Sequence, residues 1–102
     1  MTKQTVMIAL GGNSLCPKGS SGSVAEQFAY TRKTMDYLSK FIALDYNICI
    51  THGNGPQVGN ELLRMDLTND KVPPLPLGIC VANTQGQIGY MVQQTLQNKL
   101  RE

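Results

Sequence analysis

The sequence predicts an α/β fold built on parallel strands, and three observations carry that expectation. Two short apolar runs, Thr5 to Leu10 (TVMIAL) and Asn47 to Thr51 (NICIT), are each stopped by a glycine-rich turn. Between them lies an apolar stripe at helical spacing, and a second helix start, marked by Pro56, follows the second turn. Strand, helix, strand, helix in this order is the pattern of a βαβ unit with a right-handed crossover.

Each element has its own signal. Thr5 to Leu10 is continuous rather than alternating, which predicts a strand buried on both faces, ending at Gly11-Gly12-Asn13. Leu15 to Gly22 is rich in Gly, Ser, Pro and Lys and reads as a loop. Ser23 with Glu26 three residues on has the form of a capping box, so a helix is expected to start there. Phe28, Thr31, Met35, Leu38 and Ile42 recur at intervals of three and four, while Arg32, Lys33, Asp36 and Lys40 fall largely off that stripe; the helix is expected to end near Leu44 or Asp45. After the second strand comes His52-Gly53-Asn54-Gly55, then Pro56, favoured in a first helical turn because its missing N–H has no partner to lose. This helix is predicted to reach Leu67 and to bury Val58, Leu62 and Met65. Asp66 to Pro76 reads as a loop. From Leu77 the segment LGICVA is open between a strand and the first turns of a helix; one long helix is favoured, with Ala82, Gly86 and Gly89 on a small-residue face and Ile88, Met91 or Val92, Thr95 or Leu96 and Leu100 extending the period. Each of the two helical glycines costs about 1 kcal/mol relative to alanine, which predicts close approach of another element.

Composition narrows the function classes. The chain has 102 residues with nine basic and seven acidic side chains, and the charges are scattered, so no basic stripe for nucleic acid or anionic lipid is present. Three cysteines in 102 residues, with no CxxC and one histidine, disfavour both zinc and a disulfide framework. Cys49 and Cys80 read as buried packing residues, Cys16 as a loop cysteine open to solvent without being reactive. The short apolar run near the N-terminus lacks the form of a secretory signal or a membrane span, which makes a cytoplasmic location the default expectation.

Parallel neighbouring strands would bring the two glycine turns to one carboxyl edge of the sheet, where open α/β sheets bind ligands. Gly11-Gly12-Asn13 can offer backbone N–H groups to an anion, although a tight turn out of a strand is the more common origin of such a pair taken alone. Gly53-Asn54-Gly55-Pro56 is more specific, because it joins a glycine turn to a helix N-terminus. Asn13 and Asn54 hold equivalent places in the two turns, which favours an amide hydrogen bond to an oxyanion over an Asx turn. His52 reads as a structural, hydrogen-bonded residue, since no carboxylate or nucleophile is fixed beside it. Neither turn matches a P-loop or the dinucleotide GxGxxG pattern.

The runs IALGGNSL (Ile8 to Leu15), THGNGPQVGNELL (Thr51 to Leu63) and TQGQIGYMVQQTL (Thr84 to Leu96) resemble carbamate kinase, of the amino-acid-kinase superfamily. The resemblance implies the N-terminal part of a three-layer α/β sandwich around a mainly parallel sheet, residues 1–102 forming the carbamate side of a single domain whose nucleotide-binding part lies outside this chain. It implies reversible phosphoryl transfer between ATP and carbamate, giving ADP and carbamoyl phosphate with Mg²⁺, in a cytoplasmic homodimer serving arginine catabolism. By the same resemblance Gly11, Gly12 and Asn13 would line the phosphoryl-transfer site, and Gly53, Asn54 and Gly55 would hold carbamate or carbamoyl phosphate. Related kinases often carry a lysine two residues before the glycine pair, whereas Ala9 stands here, as is common in carbamate kinases. Where many members read PLDVCGAMTQG this chain reads PLGICVANTQG, with Gly78 and Val81 departing from the pattern. The resemblance also implies that the chain is inactive alone. A non-catalytic anion-binding or interaction fragment of the same fold is the alternative, and a dinucleotide-binding module is disfavoured.

Overall fold

The computed structural model describes residues 3–101, apart from the side chains of Gly12 and Asn13. The elements are β1 (Thr5–Leu10), α1 (Gly12–Leu15), α2 (Val24–Ala43), β2 (Asn47–His52), α3 (Gly55–Thr68) and α4 (Leu77–Leu100). The fold is mixed α/β, with β1 and β2 paired in parallel and in register from Thr5 opposite Asn47 to Leu10 opposite His52. One turn of helix, α1, follows Gly11 where a glycine turn is expected and ends at Leu15, where the expected loop begins.

Helix α2 starts where the sequence places its cap. The Glu26 N–H donates to Ser23 Oγ at 3.2 Å, and the Glu26 carboxylate reaches back past the cap to accept from the Ser21 N–H at 2.9 Å. The helix ends at Ala43, capped by Leu44, and Asp45 turns the chain toward β2 in a left-handed conformation with φ 66°. An exposed ion pair from Lys3 to Asp45, 3.0 Å long, spans this corner and contributes at most about 1 kcal/mol.

Alternation of burial along both strands shows that the sheet has one covered face. Ile8, Leu10, Ile48 and Ile50 pack into a cluster with Met35 and Leu38 of α2 and Ile88, Met91 and Val92 of α4. Met7, Ala9, Cys49 and Thr51 point the other way and are exposed, Met7 by 70%. The expectation of strands buried on both faces is therefore corrected, and with it the reading of Cys49 as a packing residue: no helix among the described residues lies over that side. Cys80, in contrast, is fully buried.

Helices α2 and α4 pack against each other along their length. Phe28 and Tyr90 meet edge to face with ring centroids 6.4 Å apart, and Lys99 pairs with Asp36 at 3.1 Å. The small-residue face of α4 does not serve this contact, because a Cβ added at Gly86 or Gly89 would meet nothing within 4 Å. That corrects the close approach expected at both glycines. α3 leans on α4 but buries only Gln57 fully; Val58 and Met65 are half-buried, and Leu62 is 41% exposed rather than in the core. No helix of the described residues is long and apolar enough to cross a membrane.

Removing the Ile88 side chain beyond Cβ (Ile88→Ala) is expected to cost about 2–5 kcal/mol, because the residue is fully buried among large neighbours. Met7→Thr, on the open face, should change stability by less than about 1 kcal/mol. Chemical denaturation of the two variants checks the contrast, and equal losses would show that the open face is packed in solution.

Candidate functional site

Parallel register brings both glycine turns to the carboxyl edge of the sheet. The link is direct: the Gly53 N–H donates to the Leu10 carbonyl at 3.3 Å, tying the start of the second turn to the residue that precedes the first. Gly11 is exposed just after β1, and Gly12 and Asn13 open α1. The Asn13 side chain lies outside the described residues. Gly53 and Gly55 are exposed and Asn54 is half-buried between them. The expected pair of turns on one edge is thus present.

Asn54 is the N-cap residue of α3, with φ −144° and ψ 20°, yet its side chain makes no capping hydrogen bond. Its Nδ2 instead donates across 30 positions of chain to Thr84 Oγ1, 3.1 Å away. Thr84 is fully buried in α4, and its hydroxyl donates back to the Cys80 and Val81 carbonyls at 2.9 and 3.0 Å. Behind the same turn a second polar thread crosses the interior. Gln57 Nε2 donates to Gln27 Oε1 at 3.1 Å, and Gln27 Nε2 donates to the Gly22 carbonyl at 2.9 Å. Both glutamines are buried, and Gln57 Oε1 has no hydrogen-bond partner in the structure.

Sequence reasoning did not single out Thr84, Gln27 or Gln57 as parts of the site. A signal existed: Thr84 shares the stripe of Cys80 and Ile88 at spacings of four, and Gln27 precedes Thr31 and Met35 at the same spacing. A polar residue on an apolar stripe is buried, and a buried polar group needs a partner. His52 fits its structural reading, with Nδ1 3.1 Å from the Gly53 carbonyl and no nucleophile among its hydrogen-bond partners.

The edge has backbone N–H groups, one oriented side-chain amide and a helix N-terminus, a set suited to binding an anion. Among the described residues no group of three or more His, Cys, Asp or Glu side chains could hold a metal ion. A cavity of about 260 Å³ abuts the first turns of α2 and α3, lined by residues including Ser23, Gln27, Gln57, Asn60 and Arg64. Another, of about 410 Å³, lies away from the turns between α2 and α4 near Phe28, Arg32 and Lys99. Among the described residues, neither lining includes a member of the glycine turns.

Comparison with known proteins bears out the resemblance read from the motifs. The chain is 48% identical over 99 residues to a carbamate kinase of Pyrococcus furiosus, an alignment covering 95% of this chain and 32% of the relative. It is 43% identical over 100 residues to the carbamate kinase-like protein YahI of Escherichia coli, again covering 32% of the relative. Among solved structures, the carbamate kinase from Giardia lamblia bound to AMP-PNP superposes with a TM-score of 0.90 at 35% identity, over 94% of this chain and 34% of that one. No protein-family model matches the chain. The chain thus spans about a third of the length of the relatives it matches.

Gln27→Met is expected to destabilise the protein by about 1–3 kcal/mol, because it strands the Gln57 amide and the Gly22 carbonyl. The double change Gln27→Met, Gln57→Met should recover the share of that loss due to the stranded Gln57 amide, while the share due to the Gly22 carbonyl remains. Thermal denaturation of the two variants measures the difference.

Proposed function

We propose, from its homology to the N-terminal third of carbamate kinases, that this chain forms the carbamate and phosphoryl side of a carbamate kinase site. The reaction is reversible phosphoryl transfer between ATP and carbamate, giving ADP and carbamoyl phosphate. Gly11, Gly12 and Asn13 line the transferring phosphoryl group, and Gly53, Asn54 and Gly55 hold carbamate or the carbamoyl end of the product. The observation that carries this reading is the hydrogen bond from Gly53 to Leu10, which joins the two anion-suited turns at one edge.

Phosphoryl transfer is catalysed by positioning and by cationic stabilisation of the equatorial oxygens. The two turns supply positioning through N–H groups and amides, and they contain no cation. By homology, this proposal assigns the stabilising cations and the nucleotide pocket to parts of a carbamate kinase that lie beyond the matched third. In this proposal residues 1–102 are one part of a single domain, the working protein is a homodimer in the cytoplasm, and its role is in arginine catabolism.

The chain mixed with ADP, Mg²⁺ and carbamoyl phosphate is expected to form no ATP in a luciferase-coupled assay; turnover would show that these residues suffice. In the phosphotransferase that carries this segment, Asn54→Ala should lower turnover about 100-fold, the scale of one lost oxyanion donor. Its stability should fall by only about 1 kcal/mol, for one hydrogen bond. Unchanged kinetics would reduce Asn54 to a turn former and favour a non-catalytic anion-binding role.

A further inference from the structure

An asparagine at a helix N-cap normally accepts, through Oδ1, from the N–H of the second or third helical residue. In α3 the second of these positions is Pro56, which has no N–H, so Gln57 is the donor left for Asn54 to cap. The cap is not made, and neither the Gly55 nor the Gln57 N–H donates to another described residue. What holds Asn54 off its own helix is the hydroxyl of Thr84, anchored in α4 with its proton committed to the Cys80 and Val81 carbonyls and a lone pair facing the Asn54 amide. A threonine hydroxyl whose proton is spent on a carbonyl can only accept, which fixes which end of the Asn54 amide faces it.

Resting on the function proposed above, we propose that Thr84 is a positioning residue for that site. It draws the Asn54 amide toward α4, leaving the N-terminus of α3 uncapped and exposed at Gly55, where the anionic end of the substrate is received. Without the hydroxyl, the Asn54 side chain swings back to cap Gln57 and competes with the anion for the same helix end. Thr84 touches no substrate in this arrangement and acts only through Asn54.

Three forms of the chain separate this from a packing role: wild type, Thr84→Val, which keeps the shape and loses the hydroxyl, and Thr84→Ser, which keeps the hydroxyl and loses the methyl. By NMR, the nuclear Overhauser contact from the Asn54 side-chain amide to the Hβ of residue 84 should be present in wild type and Thr84→Ser and lost in Thr84→Val. Titration with inorganic phosphate should shift the Gly55 amide in wild type, with the dissociation constant rising about tenfold in Thr84→Val and less than about threefold in Thr84→Ser, the size of one hydrogen bond. An unmoved Asn54 amide in Thr84→Val overturns the proposal, as does phosphate affinity that follows the methyl rather than the hydroxyl. The wild type alone is decisive if the valine variant does not fold, because absence of the amide contact there also overturns it. If the amide contact behaves as expected while phosphate leaves Gly55 unmoved in wild type, the anion site of the proposed function fails and the orientation of Asn54 by Thr84 stands.

Discussion

Everything at the candidate site depends on the register of one pair of parallel strands. Leu10 lies opposite His52, so the two strands leave the sheet at the same height, and the Gly53 N–H finds the Leu10 carbonyl as the next rung of the ladder. A slip of one residue in either strand would turn that strand's core side chains, Ile8 and Leu10 or Ile48 and Ile50, away from the helices, because side chains alternate between faces. The same burial that stabilises the core therefore sets the distance between the two turns. Helix α2 enforces the parallel sense by carrying the chain back from the first turn to the start of β2.

The elements themselves were legible in the sequence because each had a local signature. The Ser23 cap, the stripe through Thr31, Met35 and Leu38, and the Pro56 start all depend on neighbours a few residues away. The long helix from Leu77 was read through an ambiguous first turn, and the structure continues it without a break to Leu100. The glycine turns were legible for the same reason, and the similarity to carbamate kinases accords with their motifs. Residues whose environment depends on a distant layer were not legible. Cys49 and Leu62 have the composition of core residues and lie exposed, because pattern tells that a face is apolar but not that anything covers it.

The site's polar threads were invisible for a different reason. The Asn54–Thr84 and Gln57–Gln27 bonds each join residues 30 positions apart, and neither partner announces the other in sequence. Both run inward from the second turn, one to α4 and one to the N-terminus of α2. They replace apolar packing under the turn with directional bonds, which fix the orientation of side chains as apolar contacts do not. A turn made of Gly-Asn-Gly has little stiffness of its own. Its rigidity comes from what lies beneath it.

The open face of the sheet has a chemical consequence at Cys49. This thiol sits in the middle of β2 on the exposed side, whereas Cys80 is sealed in the interior and Cys16 is half-buried beside Ser20. An alkylating reagent should therefore meet the three sulfurs at different rates, and a protein layer laid over the sheet would silence Cys49 first. The strand carries its own gauge of whether that face is in contact with water or with protein.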